Sequence, residues 1–271
     1  MSHNKIICID ALSGLKKLAP ESINLICTSP PYSDIRKSYP GPSPFNYVEW
    51  FTPIGEEMFR SLSSDGSFIL NINDKCVNGE RIPYAFELVI KLREIGFKLI
   101  DTIIWTKKNG ISGSTRSKRA FDAFEYIFHF GKTINVVWNP DELRRPYSAS
   151  SIKRSQKPIK VNASNREARG DKPATYKTWN LHPRGAYPIN VISFKKDSGA
   201  DHPAAYDISL PAYFIKGYSD KDAVVLDPFS GGGTTCAAVK KINEETGACR
   251  SYIGFEICEQ YVKLSQEKYG L

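Results

Sequence analysis

Apolar residues in this chain recur with two periods. Short β-branched runs are followed, several times over, by longer stretches with the 3.6-residue spacing of an amphipathic helix. The first such pair is a predicted strand over residues 5–10 and a helix over 11–18. A strand over 23–28 leads through a Pro-rich loop to a helix over 47–62, and a strand over 67–72 leads to a helix over 83–95. Residues 98–105 and 125–130 then read as two strands with no helix between them, which allows an antiparallel pair. The alternation returns as a helix over 204–216, a strand over 223–227, a helix over 234–245, a strand over 251–256 and a closing helix. Repeated βα units predict an α/β fold with a mostly parallel sheet and an antiparallel strand near one edge.

Residues 140–195 break this rhythm. They carry little apolar periodicity and much Pro, Ser, Asn and Lys, so they read as a module inserted between two parts of one α/β domain, residues 1–139 and 196–271. The length of 271 residues and a hydrophobic content of 41% allow a substantial core and exclude a disordered chain. No window approaches the run of about 20 apolar residues that spans a bilayer, and the N-terminus lacks a signal-peptide pattern, so a cytoplasmic protein without membrane association is expected. Six scattered cysteines with no Cys-x-x-Cys pair are expected to be reduced thiols, with no metal site.

Charge sharpens this division. The chain has 37 basic and 29 acidic residues, a net +8. Residues 144–184 hold eleven of the basic and two of the acidic ones, so this segment carries +9 and the remainder −1. A second basic loop contains Lys107, Lys108, Arg116, Lys118 and Arg119 with no acid between them. Such runs are ordinarily solvated surface. Here, however, Tyr147, Tyr176, Trp179 and His182 are interleaved with Arg144, Arg145, Lys153, Arg154, Lys157 and Lys160. Cations that neutralise phosphates, beside groups able to contact bases, point to a nucleic-acid partner.

Two motifs carry the chemistry. In VVLDPFSGGGTT, residues 224–235, a strand ends at Asp227 and a turn with Gly231 and Gly233 leads into a helix at Thr234. Glycines there let a ligand approach the backbone. A second strand ends in Glu256, 29 residues later, and a carboxylate at that place can accept hydrogen bonds from both hydroxyls of a ribose. No lysine follows the glycines, so the turn is not a P-loop. In INLICTSPPYSD, residues 23–34, a strand runs into Ser29-Pro30-Pro31-Tyr32. The prolines fix a rigid turn that holds a hydroxyl, a carbonyl and an aromatic ring where open α/β sheets bind ligands.

TSPPY together with DPFSGGGTT resembles the amino-methyltransferases of DNA that use S-adenosylmethionine, and the Ser-Pro-Pro-Tyr form resembles the N4-cytosine subgroup. Adenine-N6 relatives more usually have Asp or Asn where Ser29 stands. The order of the parts, with the catalytic turn first, the basic region next and the cofactor turn last, resembles the beta-class permutation. The resemblance implies a circularly permuted Rossmann-like sheet and places cofactor contacts on matching positions. These are Asp10 and Ala11 in IICIDAL, His202 and Pro203, the run Asp227, Pro228, Phe229, Ser230, Gly231, Gly233 and Thr234, and the pair Glu256 and Ile257. Asp10 alternatively caps the helix that follows it. His129, in the strand pair that closes the catalytic part, reads as packing.

The expected reaction follows from those positions. The cytosine N4 lone pair is delocalised into its ring, and Ser29 Oγ with the Pro30 carbonyl can accept its two N–H groups and help localise it. Double-stranded DNA is the expected partner, with the target base flipped onto Tyr32. A restriction endonuclease acting on the same site is the partner such enzymes commonly have, and the chain itself is expected as a monomer or homodimer. Two other readings stay open, an adenine-N6 methyltransferase and a noncatalytic nucleic-acid-binding protein on the same scaffold.

Overall fold

The computed structural model describes residues 3–33, 35–36, 39–107, 118, 120–160, 176–177, 179–194 and 207–271. It divides into a body, Met1–Asn139 with Ile189–Leu271, and a smaller unit, Pro140–Pro188. The body is built on an eight-stranded sheet of β1 (Lys5–Cys8), β2 (Ile23–Thr28), β3 (Leu62–Ile72), β4 (Lys98–Lys107), β5 (Phe124–Gly131), β6 (Val191–Phe194), β7 (Val224–Asp227) and β8 (Ser251–Glu256). Their order across the sheet is β1-β8-β7-β2-β3-β5-β4-β6. Only β5 runs against the others, paired antiparallel with β3 and β4. The carboxyl ends of seven strands and the start of β5 therefore share one edge of the sheet.

β2 lies at the centre and is buried on both faces, which accounts for its largely apolar sequence INLIC, broken only by Asn24, whose side chain accepts from the Val224 amide at 2.9 Å. One face of the sheet presents Ile26, Phe68, Leu70 and Ile72 to Tyr47, Phe51, Ile54 and Met58 of α2 (Tyr47–Ser61, after the short α1, Ala11–Leu15) and to Tyr84, Leu88 and Leu92 of α3 (Tyr84–Ile95). Omitting α4 (Ala149–Ser155) of the smaller unit, the remaining helices are α5 (Ser209–Tyr218), α6 (Thr234–Thr246) and α7 (Glu259–Tyr269). Cys27, Ile69 and Ile127 on the opposite sheet face meet Leu210, Pro211 and Phe214 of α5. The body thus has the helix-covered layers expected of a mostly parallel sheet.

Two boundaries differ from expectation. The inserted segment ends at Pro188, and residues 191–194 form the edge strand β6, parallel to β4 from Val191 opposite Ile104 to Phe194 opposite Lys107. Four residues with one buried side chain, Ile192, are too short a run to show a period, and their pairing partner lies more than 80 residues away in sequence. The helix expected from residue 204 is observed from Ser209, and residues 201–206 lie outside the described residues.

The described residues of the smaller unit make several polar contacts with one another. Arg144 donates to Asp141 at 2.5 Å and to the Gly185 carbonyl at 2.9 Å, and Arg145 and Ala186 form a backbone bridge. Ser148 caps α4 by accepting from the Ser151 amide, and two-residue strands at Ile159–Lys160 and Tyr176–Lys177 pair antiparallel. Among the described residues, no helix is long and apolar enough to cross a membrane.

Phe68 is fully buried, with its ring centroid 5.5 Å from that of Phe97 and 5.6 Å from that of Phe130. Phe68→Ala should lower unfolding free energy by about 3–5 kcal/mol in a urea titration; a loss under about 1 kcal/mol would contradict this account of the core.

Candidate active site

Four strand ends converge on one polar cluster. Ser29-Pro30-Pro31-Tyr32 leaves the carboxyl end of β2, Asn71 lies near the end of β3, Lys107 ends β4, and Glu125 lies near the start of β5. Tyr47 of α2, fully buried, donates its hydroxyl to the Pro31 carbonyl at 3.0 Å and so fastens the Pro-Pro turn to the helical layer. Burial pushes the Tyr47 phenol well above its ordinary pKa, so it stays a donor.

Tyr32 Oη donates to Glu125 Oε2 at 2.5 Å, and the Lys107 ammonium is 2.7 Å from the other carboxylate oxygen. Asn71 Nδ2 lies 3.0 Å from Glu125 Oε2, 3.2 Å from Tyr32 Oη and 3.4 Å from Ser29 Oγ. Ser29 Oγ donates to Tyr32 Oη at 3.4 Å. Burial, followed by the Glu125 charge, raises the Tyr32 pKa well above the ordinary value. Sequence reasoning assigned no role to Asn71 or Glu125. Both left a trace, Asn71 as the polar residue of FILNI and Glu125 as the acid of FEYIFHFG, each flanked by apolar or aromatic residues. Lys107 was expected on a basic loop; its side chain is instead withdrawn into the ion pair with Glu125, because a buried carboxylate requires a partner. His129 is buried with Nε2 2.9 Å from Ser67 Oγ and its ring against Tyr218. Burial lowers its pKa to about 4, so it stays neutral and packs.

The second cluster lies at the ends of β7, β8 and β1. Asp227 is buried and accepts from Thr28 Oγ1 at 2.6 Å and from the Phe229 amide at 3.1 Å. Phe229 packs against Trp50 and Phe51 of α2, and Ser230 is buried with its amide bonded to the Phe255 carbonyl at 2.8 Å. Gly231 and Gly233 have φ of +51° and +83°, conformations that favour glycine. A Cβ on Gly233 would lie within 3 Å of Ile6, Ser265 and Leu271, so the turn packs directly on β1 and α7 before Thr234 opens α6. Glu256, also buried, accepts from the Gly231 amide at 2.8 Å and from the Cys258 amide at 2.8 Å, which ties the glycine turn to the end of β8. Ile257 beside it is 62% exposed, an apolar surface next to a carboxylate. Asp10 is exposed and does cap α1, accepting from the Ser13 amide at 2.9 Å, and Ala11 is buried. The acids, the glycine turn and this apolar flank suit a nucleoside with a charged tail. His202 and Pro203 lie outside the described residues.

Of the expected basic surface, Arg145, Lys153, Arg154, Lys157 and Lys118 are exposed. Arg144 is not; its side chain is 14% exposed and holds Asp141 and Gly185 together within the smaller unit, so it is a structural cation. Lys108, Arg116, Arg119 and the side chain of Lys160 lie outside the described residues.

The sequence and the fold match known proteins across nearly the whole chain. The family described as DNA methylase, N6_N4_Mtase, matches residues 23–267. The chain is 25% identical to the type II methyltransferase M.PvuII of Proteus hauseri over 99% of this chain and 84% of that protein. It is 30% identical to the orphan methyltransferase M.BamHII of Bacillus amyloliquefaciens over 91% and 88%. The solved PvuII DNA methyltransferase, described as cytosine-N4-specific, superposes with a TM-score of 0.72 at 23% identity, covering 98% of this chain and 86% of that one. The chain therefore belongs to the N6/N4 family of DNA methyltransferases, whose methyl donor is S-adenosylmethionine.

Burial raises the Asp227 pKa to about 6, against the pull of donors from Thr28, Thr235 and Phe229. An acid whose folded pKa exceeds its unfolded value near 3.8 binds a proton more tightly when folded, so its contribution to stability rises as pH falls through about 6. On going from pH 7.5 to 4.5, the wild type should therefore gain about 2 kcal/mol relative to Asp227→Asn in urea unfolding. Parallel pH profiles for the two proteins would rule out a carboxyl buried in this way.

Proposed function

We propose that this chain transfers a methyl group from S-adenosylmethionine to the exocyclic N4 amine of a cytosine flipped out of duplex DNA. The observation that carries this reading is the juxtaposition of the Ser29-Pro30-Pro31-Tyr32 turn with the glycine turn, through the 2.6 Å bond from Thr28 to Asp227. Serine at position 29 supports cytosine over adenine, as does the likeness to the cytosine-N4-specific PvuII enzyme.

On this reading Glu256 accepts the ribose hydroxyls, Asp10 accepts from the adenine amino group, and Ile257 covers the adenine ring. The glycine turn admits the methionine end, to which the resemblance also assigns His202 and Pro203. When bound, S-adenosylmethionine supplies a methyl group activated by a sulfonium. This chain's own residues do the rest. Ser29 Oγ and the Pro30 carbonyl accept the amine hydrogens, which favours a pyramidal nitrogen with its lone pair aimed at that methyl. Tyr32, half-buried, offers a face for the flipped base. Pro140–Pro188, with its exposed Arg145, Lys153, Arg154 and Lys157, holds the DNA backbone. The type II relatives favour a setting in which methylation protects a site from a cognate endonuclease.

Ser29→Ala should lower methyl transfer by about 100-fold while calorimetry shows unchanged S-adenosylmethionine binding, whereas Glu256→Ala should weaken that binding. Digestion of DNA methylated by the wild type should yield N4-methylcytosine; N6-methyladenine would overturn the base assignment. Changing Arg145, Lys153, Arg154 and Lys157 to Glu should weaken DNA binding and flatten the dependence of log K on log salt by about 0.9 per lost phosphate contact. An unaltered slope would remove these four residues from the interface.

A further inference from the structure

Asn71, Glu125 and Lys107 come from three different strands and form one cluster beside the Ser-Pro-Pro-Tyr turn: Asn71 reaches Ser29 and Tyr32, Glu125 reaches Tyr32, and Lys107 pairs with Glu125, yet methyl transfer as described above uses none of them. Their donor and acceptor capacities fix the direction of every bond in the cluster. Lys107 and Asn71 Nδ2 donate to Glu125, which keeps the carboxylate an acceptor. The Tyr32 hydroxyl proton must then point at Glu125 Oε2, 2.5 Å away. Tyr32 Oη is left to accept, from Asn71 at 3.2 Å and from Ser29 at 3.4 Å. With its own proton committed to Tyr32 and one lone pair facing Asn71 Nδ2 at 3.4 Å, Ser29 Oγ presents only a lone pair to whatever lies in front of it.

Asn71 underlines this polarity. Its amide oxygen is buried and has no hydrogen-bond partner among the described residues, a condition that costs free energy. The opposite orientation of the amide would set that oxygen against the Glu125 carboxylate and the Tyr32 hydroxyl. The negative charge of Glu125 thus dictates the orientation of a side chain from the neighbouring strand.

We propose that Glu125 is a positioning residue that polarises Ser29 through Tyr32 and receives the proton released by the methylated amine. This inference rests on the reading that Ser29 faces the target nitrogen. As the nitrogen lone pair forms the new N–C bond, the S–C bond pair stays with sulfur and the nitrogen becomes cationic. One N–H proton then passes to Ser29 Oγ, the Ser29 proton to Tyr32 Oη, and the Tyr32 proton to Glu125 Oε2. The N–H bond pair remains on nitrogen, so a sulfonium and a carboxylate are replaced by a neutral thioether and a neutral carboxylic acid. The acid gives that proton to solvent before the next turnover, and Lys107 from β4 again pairs with the carboxylate.

Glu125→Gln preserves shape and can still accept from Tyr32, but it cannot take up the proton. In the full-length protein its single-turnover methylation rate should fall by about 100-fold while dissociation constants for S-adenosylmethionine and for duplex DNA stay within about twofold. In protein labelled with 13C at tyrosine Cζ, free of cofactor and DNA, the Tyr32 resonance should move toward that of an ordinary phenol. Tyr32→Phe, which keeps the ring and interrupts the path, should show a comparable loss of rate and carries the test if Glu125→Gln does not fold. A wild-type rate in either variant overturns the proposal, as does a rate lost in proportion to cofactor or DNA affinity. A wild-type enzyme that methylates adenine overturns the cytosine assignment alone, because Glu125→Gln then still decides the proton path. A wild-type enzyme that methylates no base overturns both.

Discussion

The hydrogen bond from Thr28 to Asp227 is the constraint on which the rest of the site depends. The two residues are 199 positions apart in sequence and end neighbouring parallel strands, β2 and β7, which are in register from Val225 opposite Leu25 to Leu226 opposite Ile26. From Thr28 the chain enters the Ser-Pro-Pro-Tyr turn, and from Asp227 it enters the glycine turn. A buried carboxylate is tolerated only with donors around it, and here Thr28, Thr235 and the Phe229 amide supply them from three directions. That requirement fixes the separation of the two turns, which on the proposed reading deliver a nucleophile and a methyl group to within reacting distance, where small misplacements weigh heavily on rate.

Charge is used in two opposite ways in the same molecule. At the sheet edge Glu125, Asp227 and Glu256 are buried, and each is held by named donors that leave little freedom of orientation. In Pro140–Pro188 most of the described cations stand in water, where they are screened and sequence-blind, which suits contact with a phosphate backbone. Lys107 and Arg144 show why a count of basic residues overstates such a surface. Both belong to basic clusters in sequence, but each is paired inward with an acid, Glu125 and Asp141 respectively.

Much of the site was legible because its parts are local. The strand-to-turn motifs at residues 23–34 and 224–235 are contiguous, and backbone constraints from two prolines or three glycines act within a few residues. Glu256 could be found because an acid at a strand end follows the glycine turn at a readable spacing. Asn71 and Glu125 could not be assigned in this way, since each is a polar residue flanked by apolar or aromatic ones and acquires meaning only from the strands beside it. β6 escaped for a related reason. Its four residues become a strand by pairing with β4, whose own sequence contains no sign of that neighbour.

The alternation of β and α segments, the two turn motifs and the confinement of the net charge to residues 144–184 are properties of the linear chain, and they sufficed for the fold class and the kind of chemistry. Periodicity, proline and glycine act over a turn or two of chain, so they can be read without knowing what lies alongside. Tertiary structure decided which cations face solvent, which acid answers Tyr32, and how the two turns are joined. Those are questions of burial, and a charged or polar group acquires a required partner only when sheet assembly removes its water.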